Sequence, residues 1–431
     1  MSTTATPRRV VRRGALHPAV LVAAVTFVAL VGAAAFRAGP SVLMVPLEEE
    51  FGWSRGVLSA AVGLNLVLFG LTAPFAAALM ERFGIRRVVA SALVLVAAGS
   101  GLTVFVTASW QLVALWGVLV GVGTGSMALV LAATVASRWF VQRRGLVMGL
   151  LTAGSTMGQL VFLPVVALVA EAWGWRAASL VIAGASLAVV PLVVRYLHDH
   201  PRDRGVQPYG AAEPLDLLDP VPAGRPGSGA ARRAVTALRS AARRRTFWAL
   251  AGGFAICGAT TNGLVGTHFI PAAHDHGMGE TTAAGLLAVV GVFDLVGTLG
   301  SGYLTDRVNP RLLLGVYYAF RGVGLLLLPS LLSDAVHPSM LAFVIVYGLD
   351  WVATVPPTVA LCRESFGDDA TIVFGWVFAA HQVGAAVAAV AAGAIRDQTG
   401  TYTIAWLGAA GMCAVAALVS VRIGATAART V

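Results

Sequence analysis

The sequence contains no lysine. All 30 basic side chains are arginines, set against 20 acidic residues, giving a formal charge of +10 over 431 residues. Without lysine there is no Gly-x-x-x-x-Gly-Lys-Ser/Thr loop to cradle a nucleotide, which excludes ATP-driven pumping by this chain alone. Nucleophile-elbow and zinc-protease motifs are also missing, so neither an enzyme nor a cofactor is expected. Charge of either sign is scarce, at 12% of the chain, where a soluble globular domain carries about 25%. Cysteine is scarce as well. Cys257, Cys362 and Cys413 lie far apart in apolar stretches, with no disulfide or metal-ligand spacing, and read as small core residues. His274-Asp275-His276 has metal-capable side chains but no fourth ligand nearby, so no metal site is expected. The alternating segments of about 10 residues that build a membrane barrel do not occur. The basic excess does not signal a nucleic-acid partner, because the arginines are scattered over short loops rather than gathered on one face.

What fills the chain instead is apolar residue, 58% of the total, with 49 glycines. The apolar residues come in blocks of about 20, the length that crosses a hydrocarbon core as a helix. Twelve spans are expected, near 19–45, 56–80, 87–108, 111–137, 145–170, 176–196, 246–271, 281–304, 311–332, 339–362, 371–395 and 401–422. The first block is too long for a signal peptide and no cleavage site follows it. The abundant glycine suits close helix packing in lipid. Residues 197–245, rich in Pro, Gly, Asp and Arg, read as a flexible linker between two six-helix halves, 19–196 and 246–422. Tails 1–18 and 423–431 flank them.

Arginine placement sets the expected orientation. If both termini are cytoplasmic, the cytoplasmic segments hold 25 arginines, ten of them between Arg195 and Arg245, and the external loops hold only Arg55, Arg176 and Arg396. Arg37 and Arg321 lie within spans. The halves also repeat. Glu81-Arg82-Phe83-Gly84-Ile85-Arg86-Arg87 follows span 2, and Thr305-Asp306-Arg307-Val308-Asn309-Pro310-Arg311 follows span 8, at an offset of 225 residues. Two such repeats match the internal symmetry of secondary transporters.

These loop motifs resemble the signature of the major facilitator superfamily between helices 2 and 3. The acid, Arg82, Gly84, Arg86 and Arg87 match in the first copy, with Ala77 in place of the leading Gly. Gly302, Asp306, Arg307 and Arg311 match in the second, with Asn309 where Gly is usual. The resemblance implies an all-α membrane protein of twelve helices, and a conformational latch in which Glu81 or Asp306 caps a neighbouring helix and pairs with Arg. A second resemblance is narrower. Trp139–Gly149, Ala153-Gly154-Ser155, Gly158 and Pro164, with Pro46–Arg55, are similar to the monocarboxylate and oxalate–formate branch. The Asp-Gly-Gly-Trp entry motif of the animal carriers is absent, Thr298 stands where those carriers have an Arg four residues after the helix-8 Asp (here Asp294), and Gly117 falls near the place of the usual helix-4 Arg. The resemblance implies a bacterial inner-membrane relative of that branch.

Ionisable groups within the spans are costly, by about 2.5–3.5 kcal/mol each on insertion scales, and so mark candidate function. Counted from the span ends at about 1.5 Å per residue, Asp294, Arg321 and Asp350 lie about 14, 15 and 18 Å deep. Two acids beside one Arg should not both stay charged in a low dielectric, so one is expected to hold a proton. This looks like the acid–Arg–acid set of proton-coupled sugar permeases; the alternative is a structural pair between Arg321 and one acid. Arg37, just before Gly39-Pro40, is the best anion ligand, since a guanidinium can grip a carboxylate bidentately and the Gly-Pro pair is expected to break the helix; the alternative is snorkelling to the interface. Asn65, Gln159, Asn262 and His381 are further candidates for the substrate route, though such amides also serve as packing glue. His268 lies near the outer end of span 7, where interfacial exposure competes with function. The expected function is proton-coupled transport or exchange of small organic anions by alternating access, in a monomer with the bilayer, a proton and a small molecule as its partners. Efflux of amphipathic drugs, through a more aromatic and less charged cavity, and a transport-dead sensor are the alternatives.

The orientation makes a direct prediction. A cysteine placed at Ser228 should resist membrane-impermeant thiol reagents in intact cells and react once the cells are opened. Ready labelling in intact cells would overturn the orientation.

Overall fold

A bilayer offers backbone N–H and C=O groups no partner, so the chain must satisfy them within each span. The computed structural model describes residues 17–211, 228–305 and 307–423, and all regular structure there is helical, apart from a bridge between Phe140 and Tyr209. Asp306 and the side chains of Glu81 and Gln159 lie outside the described residues. Eleven helical stretches among the described residues are long and apolar enough to cross a membrane. One belongs to a run of 53 residues, Arg144–Tyr196, too long for a single crossing of about 20 residues. It divides at Gly174, whose φ of 81° and ψ of 167° are open to glycine and strained for other residues. The spans are therefore twelve: α1 Pro18–Phe51, α2 Arg55–Phe83, α3 Ile85–Phe105, α4 Ser109–Trp139, α5 144–173, α6 175–196, α7 Arg245–Asp275, α8 Glu280–Thr305, α9 Pro310–Leu331, α10 Pro338–Phe366, α11 Ala370–Thr399 and α12 Thr403–Arg422.

Two helices depart from the sequence expectation, and proline is the reason in both. The expected break at Gly39-Pro40 is absent: α1 runs through Pro40 and Pro46 and ends only at Gly52, whose φ is 66° and whose N–H bonds to Glu48 O. With Gly39 before it, Pro40 meets no Cβ and the chain stays helical at the loss of one hydrogen bond. α10, expected to be continuous, is interrupted by a turn over 351–354. Pro356 and Pro357 offer no N–H to the carbonyls one turn back. Side chains of α8 and α9 serve the freed backbone: Ser301 Oγ donates to Ala353 O (2.5 Å), Arg321 donates to Asp350 O (2.5 Å) and Trp351 O (3.3 Å), and the Val352 N–H donates to Asp294 Oδ1 (3.0 Å).

The two halves meet along three pairs of helices, α2 with α11, α1 with α7, and α5 with α8. On α2, Gly56, Gly63 and Gly70 recur every seventh residue, and a Cβ at each would strike Asp397, Val390 and Gln382 of α11. The segment 197–245 is not featureless. Residues Ser228–Ala241 form a helix with Ala234, Ala237 and Ala241 buried. It lies against α2 and α11, where Trp376 Nε1 donates to Ala234 O (2.9 Å) and Phe75 meets Trp376 edge-on at 6.5 Å. Alanine at i, i+3 and i+7 is a helical stripe, a signal masked by the surrounding Pro and Gly.

α8 and α10 cross where Gly297 faces the Leu349 carbonyl and Gly348 faces the backbone of Val290. Overpacking a close contact costs about 1–3 kcal/mol. Gly297→Ala is therefore expected to lower the unfolding temperature in detergent by several degrees, whereas Gly285→Ala on the same helix, whose added Cβ meets nothing within 4 Å, should leave it unchanged. Equal behaviour of the two variants would contradict the crossing.

Candidate functional site

A cavity of about 260 Å³ lies between the halves. Its wall takes Arg37 and Pro40 from α1, Val62 and Asn65 from α2, Thr124 and Met127 from α4, and Leu151 from α5. From the other half come Asn262 (α7), Asp294 (α8), Trp351, Val352, Thr354 and Val355 at the α10 break, and Phe374, Phe378, His381 and Gln382 on α11. Phe374 stands four residues into α11, so the lining reaches toward the side of the molecule where the interhalf segment lies. At the other side, the wall stops short of the ends of α1, α2 and α7.

That other side is sealed by a charge cluster the sequence analysis did not assemble. Arg55, only 3% exposed, donates Nε to Glu48 (2.7 Å), both terminal nitrogens to Asp275 (2.8 Å each), and Nη1 to the Tyr402 hydroxyl (3.1 Å). Arg396 joins Asp275 at 2.7 Å. Asp397 accepts the N–H groups of Arg55 (3.0 Å) and Gly56 (2.8 Å), so an α11 carboxylate caps the α2 N-terminus. His268 is fully buried rather than interfacial. Its Nε2 lies 2.8 Å from Ala389 O, an obligate acceptor, so Nε2 carries the proton and Nδ1 accepts from Tyr402 (3.1 Å). On α5 and α8, Thr281 donates to Glu171. Arg55, Asp275 and Arg396 stand near span ends, where charge is ordinary, so single-residue reading gave them no weight.

Arg37 lies in the continuous part of α1 and stacks on Phe69 of α2, 5.4 Å from the ring centroid. Asp294, 3% exposed, accepts at Oδ1 from Thr298 Oγ1 (3.0 Å) and the Val352 N–H (3.0 Å), and lines the cavity. Arg37 and Asp294 are thus the one arginine and the one acidic side chain in the described wall, one from each half. Arg321 and Asp350 do not line it. They pair behind it at 2.7 Å, 1% and 5% exposed, with Arg321 also donating to Cys257 Sγ (3.0 Å). No hydrogen bond joins Asp294 to Arg321 among the described residues. The structure therefore separates the three midplane charges into one cavity acid and one enclosed pair.

The amides divide as well. Asn65 donates to Trp116 O (2.7 Å), a carbonyl in the π-helical segment Val113–Val120 of α4, so its nitrogen is engaged in packing. Asn262 lies in a second π segment, Ala259–Val265, and reaches the wall. His381 packs between Phe254 (4.8 Å) and Phe378 (5.8 Å, near parallel). Gln382, next to it, was passed over, although an amide in an apolar block is the signal that singled out Asn65.

The two acids of the expected latch, the Glu81 side chain and Asp306, lie outside the described residues, but the residues around them are described. The acid that caps α3 is Asp199, which accepts from the Arg86 N–H (3.0 Å) and crowds Gly84, whose φ is 85°. Arg82 stacks on Phe83 (5.1 Å) and Arg87 is exposed. In the second copy, Asn309 caps α9 by accepting from the Arg311 N–H (3.0 Å), Arg311 pairs with Glu364, and Arg307 stacks on Tyr303 (3.6 Å) beside Gly302.

Among the described residues, twelve apolar helices form two halves about a central cavity, the build of membrane transporters. The sequence profile of the Major Facilitator Superfamily matches residues 23–371 and 273–429, and the chain belongs to that family. It is 26% identical over 396 residues to the uncharacterized MFS-type transporter YcxA of Bacillus subtilis (strain 168), covering 88% of each chain. It is 29% identical over 361 residues to monocarboxylate transporter 13 of Bos taurus, covering 81% of this chain and 75% of that one. Among solved structures, the nucleoside transporter NupG superposes with a TM-score of 0.69 at 12% identity over 94% of this chain and 100% of that one. The xylose transporter XylE of E. coli gives 0.66 at 15% identity over 93% and 96%. At such identities the structural likeness concerns the fold alone.

The enclosed pair yields a prediction about stability. Arg321→Met leaves Asp350 a buried acid without its partner, at a cost of about 3–5 kcal/mol. The double variant Arg321→Met/Asp350→Leu should regain at least half of the lost unfolding temperature. A double variant no better than the single one would show that pairing is not what Arg321 supplies.

Proposed function

We propose that the chain carries small, monocarboxylate-like organic anions by alternating access, in symport with protons or in exchange. In this reading it works as a monomer in a bacterial inner membrane, with 197–245 in the cytoplasm and the cavity directed there. One observation carries it: the wall holds one guanidinium from the N-terminal half and one carboxyl from the C-terminal half. Arg37 supplies bidentate donors for a carboxylate. Asp294 is the proton carrier, because its partners are a hydroxyl and a backbone N–H rather than a cation. Arg321 and Asp350 act as a clamp on the α10 break. The relationship to a monocarboxylate transporter supports the same substrate class. Aromatic walls also suit export of amphipathic compounds, but an uncharged amphiphile gains nothing from Arg37.

Losing or gaining a proton at Asp294 changes its strength as acceptor for the Val352 N–H, which ties the cavity's charge to the geometry of α10. The test uses proteoliposomes and a labelled carboxylate chosen by thermal shift. Asp294→Asn should still exchange substrate at equal pH and should lose accumulation driven by an imposed proton gradient. Arg37→Lys keeps the charge without the planar fork and should weaken affinity by about tenfold, or 1.4 kcal/mol. Gradient-driven accumulation at the wild-type level in Asp294→Asn would remove the proton role.

A further inference from the structure

The cavity wall is charged and aromatic at once, and the order of its groups is specific. Arg37 lies over Phe69. Phe69 of α2 meets Phe378 of α11 at 6.0 Å, across the two halves. Phe378 stacks parallel to His381 at 5.8 Å. A run of ring faces thus leads from the guanidinium to His381 and its neighbour Gln382. The cavity of about 260 Å³ leaves room for a ligand larger than a two- or three-carbon acid.

Gln382 gives this run an end. It is fully buried and belongs to the wall, and neither its Oε1 nor its Nε2 has a hydrogen-bond partner among the described residues. His381 Nδ1 is likewise without one. An unmet buried polar group costs about 1–3 kcal/mol, and an amide has both a donor and an acceptor to offer. Its position is fixed by Gly70, where any side chain would collide with the Gln382 Cβ at 2.7 Å. The wall therefore combines an anion ligand, flat apolar faces, and an unsatisfied amide.

We propose that the substrate is a planar aromatic carboxylate with a hydrogen-bonding ring substituent. Its carboxylate lies at Arg37, its ring against Phe69 and Phe378, and its substituent at Gln382. This rests on the anion-transport reading and narrows it. Ring contacts of this kind add about 0.5–1.5 kcal/mol beyond area alone. A site with an unpaired amide discriminates strongly against the analogue that lacks the matching polar group.

The test is binding to the purified full chain in nanodiscs, by calorimetry or thermal shift, across a ladder of probes. The probes are the three hydroxybenzoate isomers, benzoate, cyclohexanecarboxylate, lactate and phenol. At least one hydroxybenzoate should bind about tenfold more tightly than benzoate, and benzoate more tightly than cyclohexanecarboxylate or lactate. Gln382→Met should abolish the preference of about tenfold for that hydroxybenzoate over benzoate, whatever it does to the absolute affinities. If lactate or cyclohexanecarboxylate binds as well as the best hydroxybenzoate, the aromatic assignment is wrong while anion transport stands. If phenol matches the hydroxybenzoates, or no acid binds, the anion reading fails and this one with it. Should Gln382→Met not fold, the wild-type ladder alone decides.

Discussion

A guanidinium taken out of water must have its charge and its donors met, and at Arg55 that requirement organises the molecule. The residue opens α2, yet its partners are Glu48 of α1, Asp275 of α7 and Tyr402 ahead of α12. The N–H groups of the same turn are met by Asp397 of α11. No one helix could satisfy this side chain. Assembling its partners brings α1 and α2 against α7 and α11 at one face of the bundle, which makes the cavity one-sided. Asp275 serves two arginines, so removing it would leave both short of an acceptor.

A second constraint governs the C-terminal half. Pro356-Pro357 opens the backbone of α10 inside the span, where irregular backbone is tolerated only if protein or a cavity meets its polar groups. Ser301 and Asp294 of α8 and Arg321 of α9 close the gaps. Asp294 and Arg321, which in sequence look like part of a functional set, therefore share a structural task with Ser301. Only Asp294 combines that task with a place in the cavity wall, so the chemistry and the shape of α10 meet in one carboxyl group.

Much of this fold is legible in the sequence because a bilayer permits so few solutions. Block length, the Arg-rich segment after span 6 and the paired loop motifs lead to twelve helices in two halves. Arg37, Asn262, Asp294 and His381 could be placed in the wall because polar groups within spans are costly and hence informative. What could not be read is which polar groups meet. The cap of α3 comes from Asp199, more than a hundred residues along the chain from Arg86. The sealed face depends on residues at span ends, where charge is too common to stand out. Pro40 was expected to break α1 and does not, whereas Pro356 and Pro357, unremarked, break α10. The difference lies in pairing: one missing N–H can be absorbed, but two in succession leave a gap that a neighbour must fill.

The seam between α2 and α11 carries glycine at positions 56, 63 and 70. There, one helix rests on the bare backbone of the other. Interlocked side chains must change rotamer before two helices can part, but a smooth face asks for none of this. The seam resembles a bearing more than a zipper. At one end of it gather the arginine and carboxylate groups that tie the halves together. In the alternating access proposed above, the part that guides the rocking and the part that holds it still would then be different residues, so the speed of opening and the preference for staying shut could be tuned separately.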